Sequence, residues 1–239
     1  MAQKTAVVIG ASGAIGKALV NLHLRHNDHV VAISREILST SHPHLKKFET
    51  DYTKENIEEL ATRISRIYPA IHSISICNGV LHTDENMPEK RLESFDIDYF
   101  GMLMHVNTTI PFMWLQAFMP HLISTQTPCV VTALSARIGS ISDNQLGGWY
   151  SYRASKAALN MLFKTASIEL QRRKCNAKLM LFHPGTTDSA LSKPFQSNVP
   201  DGKLFKPEFV AEQLNKFQNN REFNGAIDFI DWQGKNIQW

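Results

Sequence analysis

Cysteine is scarce: Cys77, Cys129 and Cys175 are the only three in 239 residues. They are odd in number, far apart, and form no CxxC. This argues against a disulfide scaffold or a thiolate zinc site, and for a reducing, cytoplasmic compartment. The ten histidines show no HExxH and no other metal-ligand spacing, so no metal site is expected. His42 and His44 merely flank Pro43 in a loop. Lys and Arg never gather into a long block or interleave with aromatics. The net charge of +3 is therefore no footprint of nucleic acid. Uninterrupted apolar runs of the ~18 residues a bilayer span needs are missing too. The Met- and Phe-rich stretch 99–119 is broken by His105, Asn107, Thr108, Thr109 and Gln116, so it reads as a core or interface helix. The apolar run near the N-terminus is too short for a signal-peptide core and lacks a cleavage pattern. No repeat, low-complexity tract or linker divides the chain, and one domain over 1–239 is expected.

What is present is alternation. Apolar, β-branched runs occur at 6–9, 30–33, 71–77, 129–134, 178–182 and 226–230, with a weaker one at 47–50. Amphipathic helical segments fall between them at 15–26, 54–68, 92–122, 151–173 and 207–217. Such alternation implies parallel strands joined by right-handed helical crossovers, with helices on both faces of the sheet. The segment 184–206 is rich in Pro, Ser and Lys and has no clear period. It reads as a mobile lid over a site or as a plain surface loop.

The first apolar run meets Gly10, Ser12, Gly13, Ala14, Ile15 and Gly16, and then a helical pattern and a second apolar run. Strand, glycine-rich turn, helix and strand form the context of a dinucleotide fingerprint, although the spacing is GxxxGxG. The glycines permit close backbone approach to phosphates, and the helix end supplies N–H groups and a positive dipole end. The expected fold is therefore α/β: a single-domain Rossmann-type doubly wound parallel sheet of about seven strands. Ligands of such sheets bind beyond the carboxyl ends of the strands, where Gly10, Arg35, Asp51, Asn78, Gly79, Ser135, Pro184 and Gly185 all fall. On the 151–173 helix, Tyr152 and Lys156 stand one turn apart. An ammonium beside a phenol favours proton exchange with a carbonyl or alcohol oxygen. Tyr150 has Ala154 at the same offset and gains no such partner. A lone YxxxK is weak evidence; together with the glycine turn it is much stronger.

With these residues assembled, the chain resembles the short-chain dehydrogenase/reductases over nearly its whole length. GASGAIG resembles their cofactor motif, ICNG stands where NNAG is usual, HVNTTIP resembles the segment with the active-site Asn, YRASKAALN the catalytic helix, and HPG the motif after the sixth strand. The run LSARIGSISDNQLGGWYSYRASKAALN and the ending DFIDWQGKNIQW are similar to the C-factor-like branch. The resemblance implies hydride transfer between a nicotinamide and a carbonyl carbon. Tyr152 would be the general acid, Lys156 its partner on the nicotinamide ribose, and the Asn107 backbone a holder of water. Pro111, which has no N–H, leaves the Asn107 carbonyl without its i+4 donor.

The family's catalytic Ser aligns with Ala136. Ser135 is the first candidate for that role, Ser140 the second, and the third option is that no Ser serves. Asp51 would bond the adenine amino group, the Asn78 and Gly79 backbone would meet the adenosine ribose, and Thr187, with Thr186 competing, would contact the carboxamide. After the second strand stand Ser34 and Arg35 rather than an acid. A guanidinium suits a 2′-phosphate, so NADP(H) is expected over NAD(H). The expected function is NADPH-dependent carbonyl reduction in a homodimer or homotetramer, with no nucleic-acid or membrane partner. The alternative is a C-factor-type dinucleotide-binding signalling protein with vestigial turnover.

Overall fold

The structure, a computed structural model, describes residues 4–239; the reading of the extreme N-terminus falls partly outside that range. Strands and helices alternate as β1 (Thr5–Ile9), α1 (Ala14–Arg25), β2 (His29–Ser34), β3 (Leu45–Glu49), α2 (Lys54–Ile67), β4 (Ser73–Ile76), α3 (Ile97–Met104), α4 (Ile110–Ser124), β5 (Cys129–Leu134), α5 (Tyr150–Arg172), β6 (Ala177–His183), β7 (Thr186–Thr187), β8 (Leu204–Phe205), α6 (Pro207–Asn219) and β9 (Asp228–Asp231). Seven strands make one parallel sheet in the order β3-β2-β1-β4-β5-β6-β9. This is the single-domain Rossmann-type doubly wound fold expected from the alternation. The strand order reverses between β1 and β4, which opens a crevice at their carboxyl ends.

Every residue of β1 is buried. Val7 and Ile9 face a core completed by Ile57 and Ile64 of α2, Trp114 and Phe118 of α4, and Phe163 of α5. Val8 faces the other core, with Leu19 of α1 and Val210 and Leu214 of α6. Side chains on successive strand residues point to opposite faces, so a strand covered on both sides must be apolar throughout. The weak run at 47–50 is a real strand that begins two residues earlier. As the sheet edge, β3 buries Phe48 and exposes Lys46 and Glu49, so its apolar signal is faint.

The single helix expected over 92–122 is instead three pieces. Leu92–Ser94 is one isolated turn, and α3 starts only at Ile97. Asp96 begins it by accepting from the Tyr99 N–H at 2.7 Å, an N-cap bond that satisfies an orphan donor. His105–Thr109 then widens into a π turn before α4, because Pro111 has no N–H to continue the i→i+4 ladder. In 184–206, the parallel pairing of Thr186 with Leu204 and of Thr187 with Phe205 joins the two ends of the segment. Ser192 Oγ donates to the Thr187 carbonyl at 2.6 Å and folds the intervening loop back over the sheet edge.

Candidate active site

Gly10 ends β1 at φ +75, and a Cβ there would lie 3.0 Å from the Cys77 carbonyl carbon at the end of β4. A Cβ on Gly16 would meet the Gly10 oxygen at 2.3 Å. Only glycine allows α1 to begin this close to the two strand ends. Among the described residues, no side chain caps the first N–H groups of α1, and its first turn carries no acid. Ser12, Ala14 and Ile15 are half-buried and Gly13 is exposed, so these amides can be reached by an anion. A cavity of about 300 Å³ opens beside them, lined by Ser12, Lys17, Asn21, Ser39 and Thr40 among others.

The structure separates Ser34 from Arg35. Ser34 is buried and its Oγ donates to the Glu36 carbonyl at 2.5 Å; Arg35 is exposed. Asp51 is also exposed, and its Oδ1 accepts from Thr53 N, Thr53 Oγ1 and Asn56 Nδ2 at 3.0, 2.9 and 2.8 Å. The Thr53 N–H first, and then the Asn56 amide, hold its carboxyl below the usual range. Past β4, Asn78 Oδ1 is buried without a protein partner, as is Thr187 Oγ1 past β6. Between Asn78 and Thr187 along the chain, Pro184 is half-buried and Gly185 turns at φ +70, its position packed against Phe205 and Trp232.

Tyr152 and Lys156 lie in the first two turns of α5, 9 % and 3 % exposed. Lys156 Nζ donates to the Leu134 carbonyl at 2.9 Å and lies 5.9 Å from the Tyr152 ring centroid. Burial lowers the Lys156 pKa to about 8. Burial first, and Tyr99 second, push the Tyr152 phenol above the ordinary tyrosine value. Desolvation thus acts against the pull toward the anion expected from the adjacent ammonium. Asn107 is fully buried. Its side chain accepts from Val80 N at 2.8 Å and donates to Val80 O at 2.9 Å and Ser155 Oγ at 3.1 Å. Ser155 Oγ also donates to the Tyr152 carbonyl at 2.8 Å. A Cβ built on Gly79 would stand 3.8 Å from Lys156 Nζ and 3.7 Å from Asn107 Oδ1, so the turn after β4 passes directly over this pair.

The two serine candidates fall elsewhere. Ser135 Oγ donates to Asn160 Oδ1 at 2.6 Å, both residues being buried. Ser140 Oγ accepts from Asp143 N at 3.1 Å and lies 3.4 Å from Ser142 Oγ. The side chain packed with Tyr152, Tyr99, Leu81 and Leu103 is Ala136, which has no hydroxyl. Trp149 and Phe195 close the outer side, with ring centroids 5.0 Å apart and Trp149 6.2 Å from Tyr152. Asn160, Ser155, Tyr99 and Glu89 escaped the sequence reading. Asn160 lies at i+4 from Lys156 and i+8 from Tyr152, so helical spacing could have flagged it; Glu89 sits in an irregular loop with no period to betray it.

These features define a dinucleotide-binding α/β protein with a buried Tyr–Lys pair at the working edge of its sheet. Residues 4–200 match the short chain dehydrogenase family. The chain belongs to that family and is an NAD(P)-dependent oxidoreductase. It is 30% identical over 187 residues to 1-hydroxy-2-glutathionyl-2-methyl-3-butene dehydrogenase of Rhodococcus sp. strain AD45, covering 78% of this chain and 76% of that protein. It is 33% identical over 147 residues to C-signal of Myxococcus xanthus, covering 60% and 82% respectively. The NADPH-bound carbonyl reductase from chicken fatty liver superposes with a TM-score of 0.83 at 20% identity, with both chains fully covered. No helix among the described residues is long and apolar enough to cross a membrane.

Proposed function

We propose that this protein reduces an apolar aldehyde or ketone with NADPH, and that Tyr152 supplies the proton. The observation that carries the reading is a buried phenol with Lys156 and Asn107 behind it, at the same sheet edge as the glycine turn. The unclaimed amides of α1 and the unpartnered Asn78 Oδ1 and Thr187 Oγ1 fit a dinucleotide laid across the crevice. Gly10, Ser12, Gly13, Ala14, Ile15 and Gly16 would hold its phosphates. Asp51, Asn78 and Gly79 would hold the adenosine, and Pro184, Gly185 and Thr187 the nicotinamide end. NADPH, when bound, supplies the hydride. Exposed Arg35, directly after β2, supports the 2′-phosphate form although Glu36 follows it and lines the same cavity; the NADPH bound by the chicken carbonyl reductase points the same way.

In this reading Tyr152 donates Oη–H to the substrate oxygen as negative charge develops there. Lys156, its pKa lowered to about 8 by burial, passes a proton toward the phenolate, and the Asn107 carbonyl holds the water that resupplies it. Trp149, Leu191 and Phe195 give the pocket an apolar wall and exclude water, with residues 184–206 acting as the lid. Met161 and Ile168, exposed along α5, support a homo-oligomer built on that helix. The three free cysteines fit a cytoplasmic setting.

Ala136 favours a second reading: binding without appreciable turnover, as in a signalling protein related to C-signal. NADPH oxidation against a panel of aldehydes, ketones and quinones separates the two. Turnover that Tyr152→Phe lowers by at least about 10²-fold supports the reductase. Tight NADPH binding with no turnover across the panel supports the second reading.

A further inference from the structure

The catalytic helix starts in an unusual way. Gly147, Gly148 and Trp149 take φ values of +66, +63 and +54 in succession, and Trp149, the cap residue of α5, offers no side-chain bond to the helix end. The cap comes from another element. Glu89, in the loop between β4 and α3, is 3 % exposed. Both of its carboxylate oxygens accept from Ser151 N at 3.3 Å, and Oε1 also accepts from Ser151 Oγ. The Trp149 N–H donates to the Glu89 backbone carbonyl at 2.5 Å. A buried carboxylate is thus fastened to the positive end of α5, one residue before Tyr152.

We propose that Glu89 is a positioning residue for Tyr152: it anchors the first turn of α5 and offsets the positive helix end, so that the phenol keeps its proton until the substrate oxygen takes it. Three groups in the neighbourhood of Tyr152 carry charge or the capacity for it. Lys156 lies on α5 itself. Tyr99 comes from α3, with its Oη donating to the Leu81 carbonyl at 2.5 Å. Glu89 acts from the loop through the start of α5; burial first, and then the Glu89 charge, raise the Tyr99 phenol. The remaining neighbours, Ala136, Leu81, Leu103 and Trp149, are uncharged. Arg153 turns its guanidinium to the carbonyls of Gly148, Ile138 and Gly147 at 2.9, 3.3 and 3.1 Å, and His82 turns to Ala190 O at 3.3 Å. Without Glu89, the helix end and Lys156 both act on Tyr152 in the same direction, toward phenolate.

The proposal rests on Tyr152 as the proton donor, so its test reads the phenol directly. The NADP⁺-loaded protein is titrated by ultraviolet phenolate absorbance, and the Tyr152→Phe curve in the same background is subtracted. Glu89→Gln preserves size and an acceptor oxygen but removes the charge; it should lower the Tyr152 midpoint by roughly one pH unit. In turnover, the alkaline limb of the reduction rate should move down with it. Glu89→Asp keeps the charge but shortens its reach, and should move the midpoint less. Loosened packing would order these two variants the other way, since aspartate disturbs the cap more than glutamine does. A midpoint unmoved by Glu89→Gln, or moved as far by Glu89→Asp, overturns the proposal. If Glu89→Gln does not fold, Ser151→Ala releases the carboxylate with little change in volume. A part-way lowering then supports the proposal, and no lowering overturns it. The titration stands whether or not any carbonyl is reduced, so a failed reductase assay does not imitate either outcome.

Discussion

Ser135→Ala separates two roles that the sequence could not. Ser135 Oγ and Asn160 Oδ1 are 2.6 Å apart and both residues are buried. Removing the hydroxyl strands a buried carbonyl oxygen, which costs about 1–3 kcal/mol. For a domain of this size that is roughly 2–12 °C in melting temperature. Asn160 Nδ2 keeps its bond to the Gly139 carbonyl at 3.2 Å, so the loop against α5 is weakened rather than released. If Ser135 instead held the substrate oxygen in the transition state, losing it would cost about 10²–10³-fold in kcat. The geometry leads us to expect a clear thermal shift and a rate loss below about tenfold, far under the oxyanion-donor range. Differential scanning fluorimetry and NADPH-oxidation kinetics on the same preparation measure both quantities. An unchanged melting temperature with a hundredfold drop in kcat, on the ~10²–10³ scale of a lost oxyanion donor, would refute the reasoning.

Ala136→Ser places a hydroxyl within the Tyr152 cluster and should raise kcat about tenfold, less than a preorganised donor yields; an unchanged or lower kcat in steady-state assays counts against a vacant oxyanion position. Arg35→Asp should weaken NADPH binding and spare NADH, read by cofactor fluorescence titration, because a carboxylate repels the 2′-phosphate; equal losses for both cofactors would remove Arg35 from the specificity role. Lys156 carries a pH signature. Its folded pKa, about 8, is depressed by burial, so between there and the ordinary lysine value the unfolded chain binds more protons than the native one. Stability contributed through Lys156 should therefore rise with pH from about 8 upward. Melting temperatures of wild type minus Lys156→Met should climb over that window, and a flat difference would contradict the burial argument.

The sheet was legible because strands covered on both faces must be apolar, and six of its seven appear in the sequence as plain apolar runs. The broken helix was not. Leu92, Phe95 and Ile97 are apolar yet exposed, and they extend a helical pattern through a segment where Asp96 starts the helix anew. The serine positions diverge for a geometric reason. Side chains alternate across the end of a strand, so Ser135 and Ala136 point apart, and the Ser135 hydroxyl comes out facing Asn160. The Tyr152–Lys156 pair was readable from spacing, but the sign of the phenol's shift was not, since burial is a property of the folded neighbourhood.

Three contacts, all from outside α5, converge on its first ten residues. Asn107 reaches Ser155, which in turn bonds the Tyr152 carbonyl. Gly139 packs so closely that a Cβ would lie 2.7 Å from Lys156 Cβ, and Glu89 holds Ser151. Each comes from a different segment: Asn107 from the π turn between α3 and α4, Gly139 from the loop after β5 and Glu89 from the loop after β4. The helix end cannot shift without breaking a buried polar contact or opening the Gly139 packing. Above Tyr152, by contrast, the side chains of the cover are two aromatic rings, Trp149 at the start of α5 and Phe195 in the 184–206 segment, meeting at 5.0 Å between centroids. A firmly held proton donor beneath two apolar rings suits the carbonyl reduction proposed above. Discrimination then belongs to the cover, and Phe195→Ala should change KM across a ketone panel while leaving the pH dependence set by Tyr152 in place.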